Sequence, residues 1–304
     1  MKNIGWLLNR QVLSTLCAIP LLLSSASVLA DEAAAVEAAP AAVAAAAPAE
    51  PASPHTLTFN IGLYSEYMFR GISLSDGPAL QGGIDYGHSS GFYAGTWWSN
   101  MDKEFAGHGD GFSGGNRLET DWYFGWAKTF ENGIGVNLLG NYYYYPDREN
   151  SFSATDQGHK LDTFEMSAAL SYKWFTYTFY YIPTDYYGAN ATDSNLNVTD
   201  TNGDTEGATY NELKFNYVLP IGDLNFLAKV GYQHTPNLEG SQGDVAIGLS
   251  KNFSLPSVGK PIEGFSAGAY YTNTFDVANE VFYDTFTGRD TNDEKLWFFI
   301  KRAW

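Results

Sequence analysis

From His55 onward, hydrophobic and polar residues alternate along the chain, which is the pattern of β-strands with one face toward an apolar environment. In the first run, the apolar face consists of Leu57, Phe59, Ile61, Leu63, Tyr67 and Phe69. The opposite face consists of Thr58, Asn60, Tyr64, Glu66 and Arg70. The pattern predicts a first strand that continues to Arg70, with its apolar set toward lipid and its polar set toward a lumen.

The same division recurs further along the chain. Between residues 117 and 130, one face takes Leu118, Trp122, Phe124, Trp126 and Phe130, and the other takes Arg117, Glu119, Asp121 and Tyr123. Residues 212–219 repeat it, with Leu213, Phe215, Tyr217 and Leu219 against Glu212, Lys214 and Asn216. A soluble antiparallel sandwich also alternates, with its apolar face on a core, so periodicity alone leaves both architectures open.

The connections between strands alternate between two lengths. Compact turns are predicted at 88–91, 131–133 and 220–223, where Gly, Asn and Asp favour tight reversals. Long polar loops are predicted at 101–116, 146–159, 183–208, 235–242 and 275–293. Short periplasmic turns and long external loops are typical of outer-membrane barrels. We therefore expect an all-β fold, a transmembrane antiparallel β-barrel of about 12 strands, over residues 55–304.

The last strand is an independent indication of this fold. Leu296, Phe298, Ile300 and the terminal Trp304 share one face. This layout suits the closing strand of a barrel, and we expect Phe298, Ile300 and Trp304 to act as the assembly signal. Arg302 interrupts the apolar face near its end, where its long stem can snorkel to the membrane interface.

The N-terminal segment predicts export from the cytoplasm. Lys2 and Arg10 precede an apolar stretch, which ends at the small-residue site Val28-Leu29-Ala30. We expect a signal peptide over residues 1–30, and a periplasmic leader over 31–54 built from Ala, Pro and Glu. Prolines interrupt any long helix there, so a flexible leader is the simpler interpretation, and a plug that enters the barrel is the alternative.

Composition supports membrane strands and excludes several functions. No segment after the signal peptide approaches the roughly 20 apolar residues of a membrane helix, so a chain that enters a bilayer must do so as strands. Aromatic residues make up 16% of the chain and charged residues only 17%. A net charge of −17 argues against nucleic acid as a partner. The lone Cys17 lies in the predicted signal peptide, which excludes disulfides and a cysteine nucleophile from the mature protein. We expect no cofactor and no metal.

One stretch resembles a known family. The run "YMFRGISLSDGPALQGGIDYGHSSGFYAGTWWSN", residues 67–100, resembles the opening of the TorF-type porins, a proteobacterial outer-membrane family. The matching positions include Phe69 to Ser73, Pro78 to Gly83, and Gly91 to Gly95. The closing strand departs from the family pattern at Lys301, Arg302 and Trp304. The resemblance implies a porin-like barrel and gives the architecture more firmly than the substrate. We expect a channel for passive diffusion of small hydrophilic solutes.

Inward-facing charges are the candidate site of such a barrel. Our pore-lining candidates are Glu66, Arg70, Asp85, Arg117, Glu119, Asp121, Glu165, Glu212, Lys214, Lys229 and Asp244. One interpretation is structural, since buried charges must find partners across strands. The other is a ladder of charge that orders solute passage, in which the modest excess of carboxylates gives a weak cation preference as a hypothesis.

Loops and aromatic residues each allow two interpretations. The acidic residues of loops 183–208 and 275–293 form either a solvated surface or a rim that concentrates cations. Most tyrosines in 142–145 and 177–181 suit a girdle at the lipid headgroups. Inward ones such as Tyr143 or Tyr145 are candidates for stacking on a sugar or a quaternary amine.

Two other classes of protein are alternatives to a channel. An enzyme is disfavoured, because His55, His88, His108, His159 and His234 form no recognisable catalytic motif. A non-conducting structural or adhesive barrel is the stronger alternative. The expected partners are outer-membrane lipid and lipopolysaccharide, the barrel-assembly machinery and a small hydrophilic solute, with the oligomeric state left open.

Overall fold

A computed structural model describes residues 53–304, except for 76, 103–116, 147–148, 151–158, 189–204, 238–240 and 277–292. The predicted signal peptide, nearly all of the predicted leader, and most of the acidic loop residues lie outside the described residues. In the described part of the chain, no helix is long and apolar enough to span a bilayer.

Within the described ranges, twelve long strands form one closed antiparallel barrel, which confirms the predicted fold. These strands are β1 (His55–Tyr64), β4 (Ala79–His88), β5 (Phe92–Asn100), β6 (Leu118–Thr129), β7 (Ile134–Tyr144), β10 (Thr163–Tyr172), β11 (Phe175–Ile182), β12 (Ala208–Leu219), β13 (Leu224–His234), β14 (Gln242–Leu255), β15 (Ile262–Phe275) and β16 (Lys295–Ala303). Two short hairpins lie between them: β2 (Met68–Phe69) with β3 (Ile72–Ser73), and β8 (Glu149–Asn150) with β9 (His159–Lys160). A single 3₁₀ turn, Tyr186–Gly188, follows β11.

The outer face of the barrel is an apolar surface. Leu57, Phe124 and Leu296 are 57%, 63% and 64% exposed, and the apolar positions that alternate with the interior residues share this face. Tyr142, Tyr144 and other tyrosines of the predicted girdle also point outward. Such a surface is stable against lipid and not against water.

The two ends of the barrel differ in their connections. Tight turns join β4 to β5, β6 to β7, β10 to β11, β12 to β13 and β14 to β15, and all of them lie at one end. In the β6–β7 turn, the Ile134 amide donates to Asn132 Oδ1 at 3.0 Å, and Gly133 has a φ of +82°. The longer connections lie at the opposite end, so the predicted asymmetry is confirmed. We call these the turn side and the loop side.

One prediction about the first strand is wrong. β1 ends at Tyr64, and residues 65–75 turn into the barrel instead of extending the wall. Tyr67 and Phe69, which were expected to face lipid, are buried inside. The cause lies at Arg70 and Gly71, whose positive φ angles of +48° and +81° form a two-residue hairpin turn. We call residues 65–75 the inner hairpin.

The barrel closes at a short seam between β1 and β16. Their register runs only from Asn60 opposite Ala303 to Tyr64 opposite Phe299, whereas β1 pairs with β4 from His55 to Tyr64. At the turn-side end, Phe59 and Trp304 exchange two backbone hydrogen bonds of 3.0 Å, and their rings stack with centroids 6.2 Å apart. The Arg302 guanidinium lies 5.3 Å from the Trp304 ring centroid.

We predict that Trp304→Ala lowers the amount of folded barrel in outer membranes several-fold, because it removes both the stacking on Phe59 and the aromatic end of the predicted assembly signal. The measurement is the heat-dependent gel mobility of membrane fractions. Trp304→Phe is the matched control and should keep most of the assembly. Equal amounts of folded wild type and Trp304→Ala would contradict this role for Trp304.

Candidate functional site in the barrel interior

The inner hairpin fills the loop-side half of the barrel. Its apolar residues, Tyr67, Met68, Phe69, Ile72 and Leu74, are all buried in one interior cluster with side chains of the wall. Its stem is closed by a 2.7 Å hydrogen bond from the Leu74 amide to the Tyr67 carbonyl. The sequence folds inward here because these large apolar side chains are buried at the centre of the barrel.

Arg70, at the tip of the inner hairpin, ties it to the wall. Its guanidinium donates to Glu165 Oε2 on β10 at 2.7 Å and to Gln233 Oε1 on β13 at 2.9 Å. The guanidinium carbon also lies 5.0 Å and 4.2 Å from the ring centroids of Tyr180 and Tyr210, on β11 and β12. One side chain from the hairpin thus contacts four consecutive strands of the wall.

The Arg70 charge is stable in this setting despite its complete burial. Burial opposes the charge, but the Glu165 carboxylate and neighbouring tyrosine hydroxyls outweigh this effect and raise the pKa of Arg70 above its ordinary value. The Arg70 carbonyl is satisfied as well, since Gln242 Nε2 donates to it at 3.2 Å. The tip of the hairpin is therefore fixed by side chain and backbone together.

Gly71 lets the hairpin tip approach the wall on its other side. A Cβ atom at this position would lie 2.8 Å from Thr274 Cγ2 and 2.9 Å from Asp244 Cβ. Any side chain at residue 71 would also be strained by its positive φ. Glycine is required here for both reasons.

A charge-balanced cluster lies on β12, β13 and β14. Lys214 Nζ is 2.9 Å from Glu212 Oε1, and Lys229 Nζ is 2.9 Å from Asp244 Oδ1 and 3.5 Å from Glu212 Oε2. The Tyr210 hydroxyl donates to Asp244 Oδ2 at 2.7 Å and accepts from Lys229 at 3.1 Å. Two lysines and two carboxylates neutralise one another, which is how buried charges become tolerable.

The opposite wall carries three buried carboxylates, which accept hydrogen bonds from neutral groups. Asp85 on β4 accepts from the Tyr123 hydroxyl and, at 3.4 Å, from Asn60 Nδ2. On β6, Glu119 accepts from the Tyr67 hydroxyl at 2.9 Å. Asp121 accepts from Asn141 Nδ2 at 3.0 Å. We call Asp85, Glu119 and Asp121 the acidic wall.

The structure brings most of the predicted site residues together. Nine of them are buried in the interior: Arg70, Asp85, Glu119, Asp121, Glu165, Glu212, Lys214, Lys229 and Asp244. Glu66 is half-buried on the inner hairpin and accepts a hydrogen bond from Ser73. Arg117 is exposed just before β6 begins. That these side chains line a conducting path stays a prediction.

Aromatic residues of the interior were largely missed by the sequence analysis. Tyr270 and Trp297 stack with ring centroids 4.8 Å apart, and Trp97 packs edge-on against Tyr67 at 5.3 Å. A sequence signal for these inward aromatic residues exists, because inward tyrosines lie against glycines on adjacent strands. A Cβ atom at Gly231 would lie 1.9 Å from the Tyr210 hydroxyl oxygen, and one at Gly248 would lie 2.2 Å from Tyr270 Cδ1.

Tyr143 and Tyr145, the expected stacking residues, both point inward and are buried. Their rings contact Tyr187 of the 3₁₀ turn edge-on, at centroid distances of 5.5 Å and 6.2 Å. Tyr143 also packs edge-on against Phe69 of the inner hairpin at 6.2 Å. These rings hold the hairpin and the 3₁₀ turn in place, and a solute could reach them only after the hairpin moves.

Accessibility of the interior differs between the two ends of the barrel. Inward positions near the turn side are mostly polar: Thr56, Asn216 and Ser254 are exposed, and Thr58 and Lys301 are half-buried. Deeper inward positions, including the charged ones, are buried. Water therefore enters the interior from the turn side and is excluded at the level of the inner hairpin. We call the accessible part the turn-side vestibule.

Among the described histidines, His55 and His88 lie side by side at the turn side, with ring centroids 5.1 Å apart, and His234 lies at the loop-side end of β13. His55 Nδ1 contacts the Tyr86 hydroxyl at 2.7 Å, His88 Nδ1 contacts Ser90 Oγ at 2.7 Å, and His234 Nδ1 lies 3.4 Å from Ser241 Oγ. The His108 and His159 side chains lie outside the described residues. Among the residues that are described, no three His, Cys, Asp or Glu side chains are grouped to hold a metal ion.

A closed antiparallel barrel with an apolar exterior and a polar interior defines a transmembrane β-barrel of the outer-membrane type. The family model named Gcw_chp, described as "Bacterial protein of unknown function", matches residues 48–304. The chain belongs to this family.

Several solved barrels are similar to this chain. The KdgM porin is 6% identical with a TM-score of 0.43, and the match covers 81% of this chain and 99% of KdgM. The COG4313 outer-membrane channel from Pseudomonas putida F1 is 10% identical with a TM-score of 0.42, covering 84% and 100%. OprD from Pseudomonas aeruginosa is 12% identical with a TM-score of 0.33, covering 82% and 64%. No curated protein matches the sequence.

We predict that Arg70→Met lowers the free energy of unfolding by about 3–5 kcal/mol, because it leaves the Glu165 carboxylate buried without its cation. Adding Glu165→Gln should recover part of this loss. Urea unfolding in lipid vesicles, followed by tryptophan fluorescence, measures both. Lys128→Met removes a charge from the outer face and is the matched control, with an expected change within about 0.5 kcal/mol. An Arg70→Met variant as stable as this control would contradict the anchoring role.

Proposed function

We propose that this protein is a porin-like outer-membrane channel for passive diffusion of small hydrophilic solutes, and that it is of the TorF type. The observation that carries the proposal is the construction of the interior. A polar vestibule open at the turn side leads to a constriction, and that constriction is formed by a hairpin held through non-covalent contacts of Arg70.

The charged interior supports transport over a purely mechanical role. Buried ion pairs contribute little net stability, and well-packed apolar residues of similar volume often stabilise a protein more. A barrel selected for rigidity alone has no need of Lys214, Lys229 and their carboxylate partners in its centre. Such groups are useful where a hydrated solute must exchange water for protein contacts.

The inner hairpin supplies the narrow point of the proposed channel. Its two paired segments are only two residues each, β2 and β3, so its position depends on the contacts of Arg70, Gly71 and the aromatic cluster. Without these contacts, the hairpin would be connected to the wall only through the chain at its two ends, and the wall itself would stay closed. Conduction in this proposal depends on how often the hairpin leaves its place.

A non-conducting structural or adhesive barrel is the second candidate, and a specific observation favours it. Among the described residues, the charged wall side chains that contact the hairpin, Glu119 and Glu165, are buried, and aromatic rings pack between the hairpin and the wall. A permanently plugged barrel would have this interior.

Export and membrane insertion complete the proposal. Residues 1–30 act as the signal peptide, residues 31–54 form the periplasmic leader, and the aromatic β16 is read by the barrel-assembly machinery. The apolar exterior contacts outer-membrane lipid and lipopolysaccharide. The solutes are small and hydrophilic, with a weak preference for cations.

The test is single-channel conductance of the refolded mature barrel in a planar bilayer. Wild type should give discrete steps, and Arg70→Gln should raise the conductance or the open probability several-fold, because its hairpin is no longer tied to Glu165. Lys128→Gln removes one positive charge from the outer face and should behave as wild type. If wild type and Arg70→Gln are both folded and both silent, the barrel is not a channel.

A further inference from the structure

Charge inside this barrel is unevenly distributed between its two halves. Arg70 is paired with Glu165, and Lys214 and Lys229 are paired with Glu212 and Asp244. The acidic wall on β4 and β6 adds three more carboxylates. The donors that the structure gives Asp85 and Asp121 are neutral, so they supply hydrogen bonds without balancing the charge.

Within the acidic wall, the carboxylate oxygens of Asp85 and Asp121 differ in how many of them accept a hydrogen bond. Both Asp85 oxygens accept hydrogen bonds, Oδ1 from Tyr123 and Oδ2 from Asn60. Asp121 Oδ2 accepts from Asn141, but Asp121 Oδ1 has no hydrogen-bond partner, although the residue is 0% exposed. A buried charged oxygen without a partner is costly, and native proteins rarely leave one so.

Asn141 provides a second, independent observation beside Asp121. Its side chain is also 0% exposed, and its carbonyl oxygen Oδ1 has no donor. The amide nitrogen of the same group lies 3.0 Å from Asp121 Oδ2. Two buried oxygens without a donor therefore belong to two side chains that are joined by one hydrogen bond, and Glu119 adds negative charge two residues along the same strand.

We infer that Asp121 and Asn141 form a binding site for a small cation, either a metal ion or a primary ammonium group. Both kinds of cation are attracted by carboxylate charge and satisfy oxygen acceptors, the metal by coordination and the ammonium by its N–H donors. Trp97 and Tyr143 are the cross-strand neighbours of Asp121 on β5 and β7, and aromatic neighbours favour an organic cation further.

The site deepens the proposed function, because it names cations as the preferred solutes. The transport of cations rests on the channel proposal, whereas cation binding at Asp121 and Asn141 does not. On the loop side, the inner hairpin lies next to this part of the wall, since Tyr67 donates to Glu119. Asp121 lies two residues closer to the turn-side vestibule along β6, so a cation approaches it from that side.

Calorimetric titration of the folded mature barrel in zwitterionic micelles tests the site without requiring conduction. The probes are CaCl₂ and, separately, methylammonium chloride. We expect saturable binding of at least one probe, and at least a tenfold loss of affinity in Asp121→Asn. The probe that binds identifies the cation as metal or ammonium.

Asp85→Asn is the matched control, because it makes the same chemical change on the same wall at a carboxylate whose oxygens are already satisfied. It should change the affinity less than twofold. Asn141→Asp adds a charged oxygen and should tighten binding of Ca²⁺, which keeps the test decisive if Asp121→Asn does not fold. No saturable binding of either probe, or equal losses in Asp85→Asn and Asp121→Asn, would overturn the inference even in a conducting barrel.

Discussion

The ion pair between Arg70 and Glu165 is the interaction on which the interior of this barrel depends. A buried guanidinium needs a carboxylate, and the only way for Arg70 to keep this one is to hold the inner hairpin across the lumen. The hairpin then buries its apolar side chains against the wall. The ion pair and the apolar packing together set the position of the hairpin.

Shape complementarity around that ion pair comes from small residues placed opposite large ones. Gly231 accommodates Tyr210, Gly248 accommodates Tyr270, and Gly71 allows the hairpin to touch β14 and β15. Tyr210 in turn supports Arg70 with its ring and Asp244 with its hydroxyl. Packing and charge are thus joined through the same side chains.

The wall of the barrel was predictable from sequence because side chains alternate between the two faces of a strand, and in a membrane barrel one face must be apolar to contact lipid. The outward orientation of Leu57, Phe124 and Leu296 follows directly from the alternation. The turn-side turns follow from the local preference of Gly, Asn and Asp for tight reversals. The interior was predictable only in part. Asp121, Glu165 and Lys229 could be placed inside by alternation, but their partners depend on strand register and on contacts between strands far apart in sequence.

The inner hairpin could not be predicted from alternation for a specific reason. Tyr67 and Phe69 continue the apolar period of β1, so the local pattern does not change where the chain leaves the wall. The chain leaves the wall because Arg70 and Gly71 have positive φ angles. The alternation of apolar and polar positions does not reveal these backbone conformations. The aromatic interior was hidden similarly, because tyrosine suits both a lipid interface and a packed lumen.

The short β1–β16 seam has a consequence for assembly. β1 is both a seam strand and the stem of the inner hairpin, and Ser65 at their junction bonds to Phe298 through its backbone amide and its hydroxyl, at 2.8 Å and 2.9 Å. In a barrel without β16, these two bonds at the start of the hairpin are missing. The strand that closes the wall therefore also helps to position the internal obstruction, so closure of the seam and placement of the hairpin are coupled.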